Sequence, residues 1–317
     1  IFRILPLKLL GALPDVTQEL FLNMMGLTRR TTQKIVGYSF LLPALLLFLL
    51  IELFPVLYNI YMSFHKWRGF GPPVFVGLGN YIDLFSNPVF IKSILHNGVF
   101  LIVALGIMLP FSFMVALLLD SGIPGSSIFR WLFFLPVITP MIVIGLVWSR
   151  VYSPQGGVLN QILELLGLAI LENDWLGNPD TALASVLVVW VWRHFGYGVI
   201  MFYAGLIGIP EDLKDAAAID GAAPVQTVLF VIIPLMKSVI FIVAILFAIW
   251  ALKVFTLIFV MTYGGPFHAT EVANTFMYNT VFQYYKLGTG SAVTTVILIV
   301  LVFFSVLRNR LRAEVEF

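Results

Sequence analysis

The sequence has 317 residues, of which 60% are hydrophobic and only 11% are charged, and its formal net charge is +2. Soluble domains carry about 25% charged residues, so this composition and the mean hydropathy of +1.01 exclude a soluble enzyme, a disordered chain and a nucleic-acid-binding protein. The absence of cysteine excludes disulfides, thiol catalysis and Cys-ligated metal sites. We therefore expect an all-α integral membrane protein.

Residues 1–34 are predicted to form a cytoplasmic segment that is separate from the membrane domain at 35–317. Between residues 15 and 27 of this segment the apolar residues Val16, Leu20, Phe21 and Met24 recur at helical spacing. Such an amphipathic helix would lie on the cytoplasmic membrane face. Packing of the same helix on the rest of the bundle is an equally good interpretation.

Six apolar stretches follow, each long enough to cross a bilayer, since about 20 helical residues span the hydrocarbon core. Pro136 and Pro140 predict a kink in the third stretch. The predicted spans lie at approximately 36–64, 93–119, 129–151, 181–209, 238–261 and 291–307.

The distribution of positive charge orients these six transmembrane helices. With both termini cytoplasmic, eleven Lys and Arg residues lie inside and five lie outside. Because Lys and Arg are enriched in cytoplasmic loops, we expect the N- and C-termini to be cytoplasmic. The outer segments are then 66–91, a second segment with a short helix predicted within 158–168, and a third with a Gly-Gly-Pro turn at 264–266.

The cytoplasmic segment at 209–236, between the fourth and fifth spans, has the pattern of a helix, a turn and a second helix. Glu211 and Asp215 lie early, where carboxylates complement the positive end of the helix macrodipole. Gly221 is a helix stop signal. The alanines between them form a small, smooth face that another protein could approach closely. The alternative is an ordinary loop helix that caps the bundle.

This stretch resembles the EAA loop in membrane subunits of ATP-binding-cassette (ABC) importers. The family pattern is Glu-Ala-Ala, three residues, Gly, nine residues and Ile-x-Leu-Pro. Here Asp215, Ala216, Ala217 and Gly221 occupy the first positions, and Val-Ile-Ile-Pro at 231–234 follows at the same spacing. Further segments, at 75–81, 129–136, 204–210 and 262–266, are similar to the carbohydrate-uptake branch of the family, which includes the maltose importer.

The resemblance implies a type I ABC importer permease fold in a bacterial cytoplasmic (inner) membrane. It implies four kinds of partner: a second homologous permease subunit, two cytoplasmic ATPase subunits, an extracytoplasmic solute-binding protein and membrane lipid. The helix at 215–221, with Glu211, would dock on an ATPase subunit. The sequence lacks a GxxxxGK[ST] phosphate loop, so we expect no catalytic residue, cofactor or metal in this chain, with ATP and Mg²⁺ bound by the ATPase.

Arg193 and His194 in the fourth predicted span and Lys253 in the fifth are ionisable residues at membrane depth, where charge is costly and usually functional. The resemblance places them on the substrate pathway, together with Trp192 and Tyr197 as stacking faces. Fixed cations at such a site suit carboxylate or phosphate oxygens. The structural alternative is snorkelling, or pairing with a carboxylate of the first span.

We therefore expect half of a translocation pathway for a sugar or oligosaccharide, with an acidic, alginate-like uronic-acid oligosaccharide as the first candidate. Glycerol 3-phosphate and a neutral maltodextrin or trehalose are the alternatives. An ion-coupled secondary transporter is the alternative class, although Glu52 is the only clear acidic candidate for ion coupling within the spans. A membrane enzyme is disfavoured, because no paired carboxylates and no Ser/His/Asp set gather at one depth.

Overall fold

The computed structural model describes residues 29–313, so the predicted amphipathic helix at 15–27 lies outside the described residues. The chain divides into two units, 1–59 and 60–317. In the first unit, helix α1 (Arg29–Phe48) continues through a π-helical turn (Leu49–Leu53) into α2 (Phe54–Ser63), which extends into the second unit. The stretch Tyr38–Ser63 is one apolar helix, long enough to cross a membrane.

The second unit begins with a short hairpin, in which β1 (His65–Lys66) pairs antiparallel with β2 (Val74–Phe75). Helix α3 (Gly79–Phe85) follows directly. The buried Asn80 side chain donates hydrogen bonds to the Ser63 and His65 carbonyl oxygens, at 2.8 and 3.0 Å. These bonds fix α3 against the start of the hairpin.

The next span is a single 33-residue helix, Pro88–Asp120. It consists of α4 (Pro88–Val103), a π-helical turn (Ala104–Met108) and α5 (Leu109–Asp120). The N-terminus is well defined, because the Asn87 side chain accepts a hydrogen bond from the backbone N–H of Val89 at 2.9 Å and Pro88 occupies the first helical position.

The predicted kink in the third span is confirmed, as a break of 100° between α6 (Ser126–Ile138) and α7 (Met141–Val151). Thr139 precedes a proline and is extended, with φ −76° and ψ 134°. A residue before proline disfavours the helical conformation, and Pro140 has no N–H to continue the hydrogen-bond ladder. The short helix predicted within 158–168 is also present, as α8 (Val158–Leu165).

Helix α9 (Pro179–Ile207) lies at the centre of the second unit and packs against α5 and α6. Gly196 of α9 meets the Phe133 backbone of α6 so closely that a methyl group there would overlap the Phe133 carbonyl oxygen. Small residues allow helix backbones in membranes to approach in this way. The core around α9 includes the fully buried rings of Trp190, Phe202 and Phe100.

Three short helices, a second broken helix and two last helices complete the described part of the second unit. After α9 come α10 (Glu211–Ile219) and α11 (Pro224–Thr227), and a π-helical turn (Val228–Ile232) leads to α12 (Ile233–Leu235). The fifth predicted span consists of α13 (Lys237–Leu252) and α14 (Thr256–Met261). The last helices are α15 (Ala273–Tyr278), followed by a π-helical turn (Asn279–Gln283), and α16 (Leu287–Ala313).

Of the six predicted spans, four correspond to helices that are long and apolar enough to cross a membrane, within residues 29–313. The third corresponds to the bent pair α6 and α7. The sixth falls in α16, whose apolar part, Leu287–Phe303, is shorter than the other spans. The count of six and the orientation of the termini stay predictions.

Candidate functional site

The segment at 209–236, which the sequence predicts to be cytoplasmic, does form a helix, a turn and a second helix. Helix α10 follows Pro210, and the turn is made at Gly221, whose φ of +79° favours glycine. The N–H groups of Gly221 and Ala222 donate to the carbonyl oxygens of Ala218 and Ala217, at 3.1 and 3.0 Å. This hydrogen-bond pattern is a Schellman-type helix end, so the stop signal acts as predicted.

Most of the α10 surface is free in this chain. Glu211, Asp215 and Ala216 are exposed, and Ile219 is 86% exposed. Ala217 faces the other way and is only 9% exposed. The predicted alanine face is therefore divided, with Ala216 available to a partner and Ala217 packed inside the chain.

A feature that the sequence pattern did not indicate ties α10 to the membrane helices. Lys214 Nζ donates to Asp120 Oδ2 at 2.7 Å, and the two side chains are 29% and 19% exposed. Asp120 is the last residue of α5, a helix that packs along α9. The ion pair therefore joins the middle of α10 directly to the end of a membrane span.

The second candidate region is a cavity of about 170 Å³ within the membrane helices. Two breaks in the helices meet there. Met141 lies directly after the break between α6 and α7, and the stretch from Lys253 to Thr256 spans the break between α13 and α14. In membrane proteins, non-helical backbone at such depth occurs where it is buried in protein or lines a cavity. The lining residues are Met141, Trp190, His194, Trp250, Lys253, Val254, Phe255, Thr256 and Leu257.

Two asparagines satisfy the carbonyl groups that the break after α13 leaves without helical partners. Asn97 Nδ2 donates to the Ala251 carbonyl oxygen at 3.0 Å, and Asn274 Nδ2 donates to the Leu252 and Val254 carbonyl oxygens at 3.1 and 3.3 Å. Unpaired backbone groups cost several kcal/mol in a bilayer. The break is therefore stabilised by side chains from α4 and α15.

His194 is held between two indole rings on the wall of this cavity. Its ring centroid lies 4.7 Å from that of Trp190 and 5.0 Å from that of Trp250. Its Nδ1 atom lies 2.8 Å from the Trp190 carbonyl oxygen, and the side chain is buried. Tyr197 packs edge-on against Trp250 at 5.0 Å, one turn along α9.

The five predicted pathway residues do not all meet in one place. His194 and Lys253 line the same cavity, and Tyr197 contacts its wall through Trp250. Trp192 and Arg193 are not among the lining residues. Trp192 packs against Trp148, and the buried Nε atom of Arg193 has no hydrogen-bond partner among the described residues. Trp250 also lines the cavity, although no sequence pattern indicated it.

Comparison with known proteins identifies the family. Residues 108–313 match the family described as the binding-protein-dependent transport system inner membrane component. The chain belongs to this family. It is therefore a multi-pass inner-membrane permease subunit of an ABC transporter, and the ABC permease fold expected from the EAA-like segment is confirmed.

Two relatives are similar over most of their length. The chain is 35% identical to the probable ABC transporter permease protein YurN of Bacillus subtilis, over 87% of this chain and 96% of that protein. It is 32% identical to the trehalose/maltose transport system permease protein MalF of Thermococcus litoralis, over 85% of this chain and 91% of that protein.

A solved structure is also similar: a bacterial alginate ABC transporter in complex with an alginate pentasaccharide-bound periplasmic protein. The TM-score is 0.77 at 20% identity, and the match covers 89% of this chain and 96% of that chain. At this level of identity the likeness concerns the fold alone.

Proposed function

We propose that this permease subunit forms half of the pathway of an ATP-driven sugar importer and that α10 is its docking helix for a cytoplasmic ATPase subunit. The observation that carries this proposal is the exposed surface of α10, with Asp215, Ala216 and Ile219, on a helix anchored to α5 by the Lys214–Asp120 pair. When a bound partner moves a helix anchored in this way, the membrane span to which the helix is joined moves with it.

The remaining subunits follow from the same proposal. The chain itself is non-catalytic, and ATP and Mg²⁺ bind to the ATPase subunits, of which there are two. A second, homologous permease subunit supplies the other half of the pathway. An extracytoplasmic solute-binding protein delivers the sugar to the outer surface, which the family description supports in general terms.

For the substrate we propose an acidic oligosaccharide of the uronic-acid type. Lys253 is an exposed cation on the cavity wall, and no Asp or Glu is among the lining residues. An ammonium group at that depth is costly unless an anion meets it. Trp250 and Phe255, which are half-buried, provide apolar ring surfaces beside it, on which the faces of sugar rings could stack.

A neutral sugar is the second candidate, and three observations favour it. Arg193 is not a lining residue, so the cavity has one fixed cation where the sequence predicted two. Lys253 also lies at the C-terminal end of α13, where a cation complements the helix macrodipole without any ligand. The relative from Thermococcus litoralis is named for trehalose and maltose.

The test is uptake by the complete importer, reconstituted in vesicles with ATP and its solute-binding protein. We expect Lys253→Gln to lower uptake of a uronic-acid oligosaccharide by about ten- to a hundredfold, which corresponds to one charge-assisted hydrogen bond. Uptake of the matched neutral oligosaccharide should change little. The exposed Lys92 of α4 is not a lining residue, so Lys92→Gln is the control for loss of one positive charge.

Three results would decide against parts of the proposal. Unchanged uptake of the acidic sugar in Lys253→Gln, or a preference of the parent for the neutral sugar, would favour the second candidate. Uptake that follows an ion gradient and does not need ATP would overturn the importer assignment itself.

A further inference from the structure

A second cavity, of about 340 Å³, lies where α6 begins and faces Ile200 of α9. Its other lining residues are Ser127, Arg130, Trp131 and Phe134. These four residues follow the spacing i, i+3, i+4 and i+7, so they lie on one face of α6. The cavity is separate from α10 and from the cavity that contains His194.

Arg130 is the one charged residue in this lining, and its position is fixed. Its guanidinium carbon lies 4.6 Å from the centre of the Tyr203 ring, a cation–π contact. Its Nε atom is buried and has no hydrogen-bond partner among the described residues. The side chain as a whole is only half-buried, and no described residue supplies a hydrogen-bond acceptor to its guanidinium group, so the group can take an acceptor from outside the chain.

The surroundings of Arg130 indicate where that acceptor comes from. Ile128, Trp131 and Leu132 are 66%, 72% and 58% exposed, so an apolar surface continues beside the cavity along α6. Arg130 lies at the predicted cytoplasmic end of the third span, at the depth of the lipid headgroups. Tryptophan is enriched at this depth in membrane proteins, where its ring is apolar and its N–H is polar.

We propose that this cavity binds the phosphate group of an anionic phospholipid from the cytoplasmic leaflet. Arg130 supplies the charge-assisted hydrogen bonds, and the Ser127 hydroxyl and the Trp131 indole N–H are further donors on the same face. The acyl chains lie along the exposed apolar side chains. The lining has no Asp or Glu to pair with the ammonium group of a zwitterionic lipid, so the site favours a headgroup such as glycerol.

The test is native mass spectrometry of the complete importer, titrated with phosphatidylglycerol or phosphatidylethanolamine. We expect the parent to retain phosphatidylglycerol preferentially and Arg130→Gln to weaken this binding by about ten- to a hundredfold. Arg130→Lys keeps the positive charge but loses the planar guanidinium group that can donate two parallel hydrogen bonds to a phosphate. The affinity of this variant for phosphatidylglycerol should therefore lie between those of the parent and Arg130→Gln. Arg150, exposed at the other end of the broken span, provides the control variant Arg150→Gln, which should bind like the parent.

Several outcomes would overturn the proposal. If Arg130→Gln and Arg150→Gln retain phosphatidylglycerol equally, Arg130 does not hold the lipid. Displacement of the lipid by millimolar soluble glycerol phosphate would show a site for the free phosphate ester. If Arg130→Gln releases the second permease subunit while lipid binding is unchanged, the partner of Arg130 is a protein carboxylate. If the importer does not assemble with Arg130→Gln, phosphatidylglycerol binding is compared between the parent and the variants Arg130→Lys and Trp131→Leu. Trp131 is mostly exposed, so its replacement leaves the core intact.

Discussion

The ion pair between Lys214 and Asp120 provides the sharpest test of how α10 is coupled to the membrane helices. The substitution Asp120→Asn removes one charge at the end of α5, outside the helix that we propose docks on the ATPase. It therefore weakens the link between the two helices without altering the docking surface. Lys214→Gln removes the other partner, and the double variant completes a thermodynamic cycle.

The size of the effect follows from the geometry of the pair. At 2.7 Å and an effective dielectric constant of 20, the Coulomb attraction is about 6 kcal/mol. Desolvation and the ordering of a long lysine side chain offset most of it, and exposures of 29% and 19% allow solvent screening. A net coupling energy of about 1 kcal/mol remains, which corresponds to about a fivefold change in an equilibrium constant.

The assay is substrate-stimulated ATP hydrolysis by the reconstituted importer. Each single variant should lower stimulation about fivefold, and the double variant should be no worse than either single one. The exchanged pair, Asp120→Lys with Lys214→Asp, should recover part of the loss. Asp83→Asn, which removes an exposed carboxylate elsewhere in the chain, is the control. Additive losses in the double variant, or no recovery in the exchanged pair, would refute coupling through this ion pair.

Three further predictions rest on the backbone. Gly221→Val forces a β-branched residue to φ +79°, at a cost of about 1–2 kcal/mol, and should weaken ATPase binding in pull-down experiments while the spans fold normally. Gly196→Ala should lower the thermal unfolding midpoint, because its methyl group overlaps the α6 backbone, whereas Gly106→Ala, with no atom within 4 Å, should not. Asn97→Ala and Asn274→Ala each leave a carbonyl group unpaired and should destabilise the protein by about 1–3 kcal/mol in denaturant or thermal titrations.

Features with local causes could be predicted from the sequence. The 100° break after α6 lies at Pro140, and α10 ends at Gly221. Proline fixes its own φ and has no N–H to donate, whereas glycine allows a positive φ, and neither effect depends on the surrounding residues. The EAA-like spacing was informative for the same reason, since its helix, turn and second helix are set by residues within one segment.

Features that depend on distant residues could not be predicted. The stretch that contains Lys253 has no proline or glycine, yet α13 ends there. Its last carbonyl oxygens accept hydrogen bonds from the side chains of Asn97 and Asn274 instead of from helical N–H groups. The Lys214–Asp120 pair joins residues 94 positions apart. Arg193 and His194 are adjacent in sequence but about 100° apart around α9, so the cavity could include one without the other.

The most direct test of the central claim uses the two adjacent alanines of α10. The 317-residue sequence has no cysteine, so Ala216→Cys and Ala217→Cys each introduce a single cysteine into it. Ala216 is exposed and Ala217 is buried. In the assembled importer, a short bifunctional thiol reagent should cross-link Ala216→Cys to an ATPase subunit that carries a cysteine in its docking cleft, and should leave Ala217→Cys unlinked. Absence of the cross-link from Ala216→Cys, or labelling of this cysteine from outside the membrane, would contradict the account.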